Sequence, residues 1–152
     1  MEIRRFERHY DYAQWSWQGG EVRDASRVDL IDNACRVPFP YGHSHPYDLI
    51  ADRDGELTRI QVKTAKTRSG ANQYFIDIHD PSKYDPEDVD LFAAYPDDEP
   101  HAFYVTYSEI MPNGRASVTY TPPEDMGAQV NVDRANLARD FTFEAAKKKL
   151  QR

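Results

Sequence analysis

The feature that most constrains the fold is an Asp54-Gly55 pair between two stretches of alternating apolar and polar residues. Both central residues of a type I′ turn need a positive φ, so this pair predicts a two-residue β-hairpin. Arg53 then pairs with Glu56, and directly paired residues have numbers that sum to 109. The turn therefore predicts the register of both strands within PYDLIADRDGELTRIQVKTA, residues 46–65.

In this register Asp48 lies opposite Gln61, and Lys63 projects from the same face because side chains alternate along a strand. A slip of one residue would move every apolar side chain to the polar face, so the pattern itself supports the register. The opposite face is predicted to pack in the core and carries Leu49, Ala51, Ile60 and Val62.

An acid, an amide and a lysine on adjacent strands suit metal-assisted phosphodiester hydrolysis. Mg²⁺ or Mn²⁺ prefers oxygen ligands, and Asp48, the Gln61 amide and the Val62 carbonyl can supply them. Lys63 can orient or deprotonate a water, or offset charge that develops on the phosphate. The alternative interpretation is a solvent-exposed hairpin with ordinary surface charges, although Gln61 and Lys63 alternate with apolar neighbours.

These residues resemble the core of the PD-(D/E)XK nuclease superfamily. More narrowly, they are similar to small archaeal and intron-associated endonucleases, whose second motif can be Q-x-K. Here Pro46-Tyr47 precedes Asp48, and Gln61 replaces an acid. The resemblance covers about residues 20–108 and implies an α+β fold, with a restriction-endonuclease-like mixed sheet flanked by helices. The chain is expected to be a single domain over 1–152, in which 109–152 add a hairpin and helices.

The resemblance implies a metal-dependent DNA endonuclease, in which Asp48, Gln61 and Lys63 are catalytic. The alternative is a catalytically weak or inactive nucleic-acid-binding module on the same fold, because Gln61 stands where a carboxylate is usual. A third interpretation is an interaction protein without a nucleic-acid role, which the acidic composition favours.

A helix is predicted over Glu21–Asn33, with a rough apolar stripe formed by Val22, Ala25, Val28 and Ile31. In the resembling family the helix before the first strand often carries an extra acid near its start. Glu21 is the candidate for that catalytic acid, and Asp24 is the second choice. Alternatively, these acids only complement the helix dipole.

A DNA partner has to be reconciled with a net charge of −7. The stretch from Leu57 to Ile76, here called the basic strip, contains no acid and carries Arg59, Lys63, Lys66 and Arg68. Arg59, Lys66 and Arg68 could contact phosphates while the rest of the chain stays acidic. His43 and His45 precede the hairpin and are candidates for phosphate or base contacts. The alternative is a solvated basic loop. The expected substrate is duplex or branched DNA, and a homodimer is an open option because nuclease relatives often dimerise.

Further strands are predicted over Cys35–Pro40, Gln73–Ile78, Asp88–Tyr95 and Ala102–Glu109. Asn113-Gly114 is a second hairpin signal, which predicts pairing of the last of these strands with Ala116–Tyr120. Residues 133–150 are predicted to be helical in two pieces, with inward-facing Asn136, Leu137 and Phe141. The aromatic segment before Gly19 is expected to pack on the domain or to contact a partner.

A single cysteine and the lack of a long apolar run predict a cytoplasmic protein with no membrane association. Asp outnumbers Glu by 17 to 9, and Arg outnumbers Lys by 13 to 6. This bias favours a halophilic, archaeal source, with an ordinary acidic protein as the alternative.

Overall fold

The computed structural model of the protein describes residues 18–38, 40–41, 44–67, 73–128 and 131–151, with the backbone alone at 18–24 and 132. The aromatic segment before residue 18 lies outside this part of the chain. Short 3₁₀ helices connect several of the regular elements. The α-helices and strands are, in chain order, α1 Gln18–Asp32, β1 Leu49–Arg53, β2 Glu56–Val62, β3 Lys66–Thr67, β4 Gln73–Asp77, β5 Leu91–Ala94, β6 Phe103–Thr106, α2 Tyr107–Ile110, β7 Arg115–Thr119 and α3 Phe143–Leu150.

The β1–β2 hairpin has the predicted register. Arg53 pairs with Glu56 and Leu49 with Ile60, so the paired numbers sum to 109 along the ladder. Asp54 and Gly55 have φ values of 56° and 81°, as a type I′ turn requires. The four apolar residues of the predicted core face are all buried. The turn and the alternation therefore place Asp48 and Gln61 on the opposite face.

Two sheets organise the described strands. The first is mixed, in the order β1-β2-β5-β6, with β2 and β5 parallel and the other neighbours antiparallel. The second is antiparallel, in the order β3-β4-β7. The mixed sheet and its helices confirm the predicted fold class.

Two hydrophobic clusters lie on opposite faces of the mixed sheet. On one face, residues of α1 and α3 such as Leu30 and Phe143 pack against Ile60 and Ala93. On the other face, residues of the second sheet such as Ile76 pack against Phe92. Gln61 pairs with Phe92 across β2 and β5, so its side chain shares the face that meets the second sheet. The helix α1 therefore packs on the face opposite to Asp48 and Gln61.

Helix α1 does not bury the predicted apolar stripe. Val28 is 48% exposed and Ile31 57% exposed, whereas Ser26, Asp29 and Leu30 are buried. The Asp29 carboxylate accepts hydrogen bonds from the Tyr104 hydroxyl at 2.6 Å and the Ala102 amide at 3.2 Å. Burial raises the pKa of Asp29, and these hydrogen bonds act against that rise. The helix face that points inward is thus the one that carries Asp29, which is hydrogen-bonded to Tyr104 of β6. It is not the face of the predicted apolar stripe.

The predicted strand Ala102–Glu109 is shorter, because α2 begins at Tyr107. Thr106 caps this helix by accepting a hydrogen bond from the Glu109 amide, while the Glu109 side chain accepts one from the Thr106 amide. The predicted hairpin at Asn113-Gly114 is also wrong, because β7 pairs with β4 and not with β6. Gly114 instead has a φ of 72° in the turn that carries the chain from α2 into the second sheet.

The predicted strand Cys35–Pro40 is reduced to an isolated bridge between Arg36 and Asp52, with one more bond from the Ile50 amide to the Pro38 carbonyl. Pro38 and Pro40 lack an amide hydrogen, so this segment cannot form a regular ladder. Phe39 lies outside the described residues.

The C-terminal segment is helical, but much of it is 3₁₀ helix, over Val132–Arg134 and Ala138–Phe141. Leu137 and Phe141 are buried as predicted, whereas the side chain of Asn136 is not. Among the described residues, no helix is long and apolar enough to cross a membrane.

Candidate active site

Asp48 and Gln61 are in direct contact at the end of the hairpin far from its turn. The Gln61 side-chain amide donates a hydrogen bond from Nε2 to Asp48 Oδ2 at 2.6 Å. The backbone amide of Val62 donates to the same oxygen at 2.9 Å. The hairpin register thus brings the predicted pair together, and both side chains are half-buried.

The Gln61 amide nitrogen lies between two oxygen atoms that were predicted to hold a metal. Besides Asp48 Oδ2, Nε2 lies 3.2 Å from the Val62 carbonyl oxygen. The Gln61 NH₂ group, a hydrogen-bond donor, therefore lies where the Asp48 carboxylate and the Val62 carbonyl approach each other. Rotation of the amide by half a turn would bring Oε1 to that point and complete a set of three oxygens.

These residues fit a hard divalent cation that retains several waters. Mg²⁺ is commonly held by one or two carboxylates, with water in the remaining positions. Within the described residues there is no group of three or more His, Cys, Asp and Glu side chains that could hold a metal. As far as side chains are described, the candidate metal site thus has a single carboxylate, from Asp48, supplemented by neutral oxygens of Gln61 and Val62.

Lys63 follows one residue after β2, and its backbone amide donates to the Ala93 carbonyl at 2.8 Å, which extends the pairing with β5. Its side chain lies on the same side of the strand as that of Gln61. The Lys63 ammonium donates to the Tyr84 hydroxyl, with Nζ and Oη 2.6 Å apart. No sequence pattern pointed to Tyr84. This residue follows a 3₁₀ helix in a polar segment, and its distance along the chain from the hairpin matches no known motif.

Of the basic strip, the two described residues that were predicted to contact phosphates, Arg59 and Lys66, form ion pairs. Arg59 binds Asp90 through Nε and Nη2 at 3.1 and 3.0 Å, and this hydrogen bonding raises the pKa of Arg59. Lys66 lies 3.6 Å from Asp77, which also binds Arg115 at 3.1 Å. Their charges are therefore partly neutralised within the protein. Arg68 lies outside the described residues.

Two other groups of predicted site residues are only partly described. His45 is exposed; its Nε2 lies 3.2 Å from the Tyr41 carbonyl oxygen, and its ring lies 5.7 Å from that of Tyr47. His43 lies outside the described residues. Glu21 and Asp24 lie on α1, but their side chains also lie outside the described part of the structure.

Comparisons with known proteins bear on the family and the fold of the chain. A family model described as "PD-(D/E)XK endonuclease" matches residues 18–144. Among solved structures, a bacterial homing endonuclease, I-Ssp6803I, is similar with a TM-score of 0.64 and 19% sequence identity, over 88% of each chain. At this identity the structural similarity concerns the fold. No curated protein matches the chain significantly.

Proposed function

The chain belongs to the PD-(D/E)XK endonuclease family, and on this basis we propose that it is a divalent-metal-dependent endonuclease that hydrolyses phosphodiester bonds in DNA. The observation that carries the proposal is that Asp48 Oδ2 and the Val62 carbonyl oxygen both lie within hydrogen-bond distance of the Gln61 side-chain amide. Family and fold support nuclease chemistry in general. The metal, the DNA substrate and the roles of single residues are part of the proposal.

Asp48, the Gln61 amide oxygen and the Val62 carbonyl would hold Mg²⁺ or Mn²⁺. A divalent cation bound there would offset phosphate charge and make a nearby water easier to deprotonate. The protein contributes the position of the oxygens, because the Asp48 side chain accepts from the Val62 amide and its backbone amide donates to the Ile60 carbonyl at 2.9 Å.

Lys63 is proposed to orient or deprotonate the attacking water and to stabilise negative charge on the phosphate. Its place beyond Val62, on the Gln61 side of the strand, supports this role. Glu21 is kept as a proposed further acid. Arg59, Lys66, Arg68, His43 and His45 are proposed to contact phosphates or bases of the DNA.

A second candidate function is a nucleic-acid-binding module without catalysis. Gln61 favours it, because a neutral amide replaces a charged ligand and its nitrogen already donates to both oxygens of the site. Such a protein would bind DNA in a salt-dependent manner but would bind Mg²⁺ or Mn²⁺ only weakly.

The first test is nicking of supercoiled plasmid by the purified protein with Mg²⁺ or Mn²⁺, at low and high KCl. Activity that persists at high KCl would favour a halophilic source. The variants are Asp48→Ala and Lys63→Ala, with Lys83→Ala as a matched control. Lys83 is a lysine whose side chain is 74% exposed and whose ion-pair partner is Asp80, which is not a residue of the candidate site. Circular dichroism would check that each variant is folded.

We expect cleavage by the wild type and by Lys83→Ala, and loss of cleavage in the two site variants. Equal cleavage by all four proteins would contradict the assignment of the site. No cleavage by any of them, with retardation of the DNA on a gel, would favour the binding module.

Two further experiments address the substrate and the oligomeric state. Junction and linear duplex substrates would distinguish branched from ordinary duplex DNA. Sedimentation of the protein–DNA complex by ultracentrifugation would test the homodimer.

A further inference from the structure

Tyr84, the partner of Lys63, is held in place by three other contacts. Its ring edge packs on the fully buried Phe92 ring, with centroids 5.3 Å apart at 82°. Its carbonyl accepts a hydrogen bond from the Tyr107 hydroxyl at 3.0 Å, and its amide donates to the Pro81 carbonyl at 3.2 Å. Phe92 pairs with Gln61 across the sheet, so Tyr84 is fixed to the strand beside the site.

The contact between Lys63 and Tyr84 is a hydrogen bond to the hydroxyl group rather than a stacking contact with the ring. Nζ lies 2.6 Å from Oη but 5.0 Å from the ring centroid. The ammonium group therefore lies on the far side of the hydroxyl oxygen from the ring centre. It does not lie above the ring face, where a cation–π interaction is strongest. A phenol oxygen at this distance restrains the direction of a flexible lysine side chain.

We propose that Tyr84 is a positioning residue, whose hydroxyl holds the Lys63 ammonium in place for the reaction at the Asp48–Gln61 site. This inference rests on the proposed function, because it assigns a partner to the lysine of that site. A lysine has four rotatable side-chain bonds, and half-buried Lys63 needs a fixed acceptor to keep one rotamer. Tyr84 supplies that acceptor from a separate segment that is itself packed on β5.

The first arm of the test observes the lysine without requiring activity. Proton–nitrogen correlation spectra of lysine ammonium groups would be recorded for the wild type, Tyr84→Phe and Tyr74→Phe, with Lys63→Ala to assign the signal. Tyr74→Phe is the matched control, since it removes a hydroxyl of the same hydrophobic cluster that donates to Glu99 and not to Lys63. We expect a protected Lys63 signal in the wild type and in Tyr74→Phe, and its loss by fast exchange in Tyr84→Phe. An unchanged signal in Tyr84→Phe would overturn the proposal.

The second arm measures single-turnover cleavage and DNA affinity for the same proteins. We expect Tyr84→Phe to cut at least roughly tenfold more slowly with unchanged affinity for DNA, because a displaced catalytic group lowers the rate and leaves binding intact. The same substitution should have no further effect on the residual rate of Lys63→Ala, as expected for two residues that act together. An equal loss in both backgrounds, or wild-type cleavage by Tyr84→Phe, would overturn the positioning role. If no protein cleaves DNA, the proposed function fails, while the spectroscopic arm still decides whether Tyr84 holds Lys63.

Discussion

At the scale of single residues, Gln61 determines what the candidate site can bind. Its amide nitrogen donates to Asp48 Oδ2 at 2.6 Å and lies 3.2 Å from the Val62 carbonyl oxygen. The Gln61 side chain thus satisfies both oxygens internally. A cation must displace this donor and then gains only a neutral ligand, so Gln61 should limit affinity for metal rather than access to it.

Replacement of the amide by a carboxylate should strengthen metal binding. Gln61→Glu adds a negative charge beside Asp48, and we expect the affinity for Mn²⁺ to rise by about tenfold or more, about 1.4 kcal/mol. Without metal the variant should be less stable than the wild type, because the two carboxylates repel each other. Isothermal titration calorimetry would measure the affinity, with Gln61→Met as the control that removes the ligand. Equal affinities for the wild type and the Gln61→Glu variant would contradict a metal site at this position.

Two glycines allow backbone strain to be separated from steric clash. Gly55 and Gly114 both have a positive φ, of 81° and 72°. An added Cβ at Gly55 would meet no atom within 4 Å, whereas at Gly114 it would lie 2.8 Å from the Ile78 carbonyl oxygen and 2.9 Å from Pro81 Cγ. We expect Gly55→Ala to cost about 1 kcal/mol of unfolding free energy and Gly114→Ala about 3 kcal/mol. Urea denaturation would measure both, and equal costs would show that the close approach at Gly114 is unimportant.

At the scale of elements, a buried lysine joins α3 to the β1–β2 hairpin. Lys147 is only 3% exposed; its ammonium donates to Thr58 Oγ1 at 3.0 Å and pairs with Glu56 at 3.1 Å. Thr58 and Glu56 lie on β2, the strand that continues to Gln61. Lys147 is the first of three lysines in the last turn of α3, and it packs against the sheet.

Truncation of Lys147 should therefore loosen the C-terminal helix. We expect Lys147→Ala to lower the free energy of unfolding by about 2 kcal/mol, because the packed alkyl stem is lost and the Thr58 hydroxyl loses its partner. Glu56 is 53% exposed, so water screens its part of the ion pair. Lys147→Met keeps most of the stem and should cost less than about 1 kcal/mol. Urea denaturation would compare the two, and similar costs would assign the stabilisation to the charge rather than to packing.

At the scale of the whole molecule, ion pairs connect segments that are far apart in the sequence. Asp77 of β4 lies 3.1 Å from Arg115 of β7, and Glu144 of α3 lies 2.6 Å from Arg53 of β1. Hydrogen bonds from these arginines lower the pKa values of both carboxyl groups. The acidic chain thus uses part of its few basic residues to hold sheets and helices together, which leaves a smaller net basic surface for DNA.

These pKa shifts predict a loss of stability in acid. The unfolded chain binds more protons than the native state near the ordinary carboxyl pKa values of 3.8 and 4.5, so stability rises with pH in that range. The contribution is present above those values and is lost as the pH falls through the lowered native values. Urea denaturation from about pH 7 to about pH 3 should show a shallower decline for the double variant Asp77→Asn/Glu144→Gln than for the wild type. Parallel curves would mean that other carboxyl groups account for acid unfolding.

The sequence was sufficient wherever a structural feature depends on neighbouring residues in one turn or ladder. Asp and Gly are residue types that accept the positive φ values of a type I′ turn, as Asp54 and Gly55 do. The alternation of apolar and polar residues on each side of the turn is compatible with one register. The contact between Asp48 and Gln61 follows from these two local facts. The α+β fold with a mixed sheet was expected from the family that the hairpin residues resemble, and the parallel pairing of β2 with Leu91–Ala94 agrees with it.

Only the tertiary structure decided features that depend on partners distant in the sequence. The exposed positions of Val28 and Ile31 follow from the bond between Asp29 and Tyr104, 75 residues apart. The pairing of β7 with β4 follows from α2, whose capping at Thr106 ends β6 before Asn113-Gly114 can close a hairpin. Tyr84 reaches Lys63 because its segment packs on Phe92, and no spacing in the sequence encodes that approach. Local sequence patterns specify turn geometry and which side of a strand a residue lies on. Which strands pair and which side chains meet depends instead on the relative stability of all the contacts that the folded chain can form.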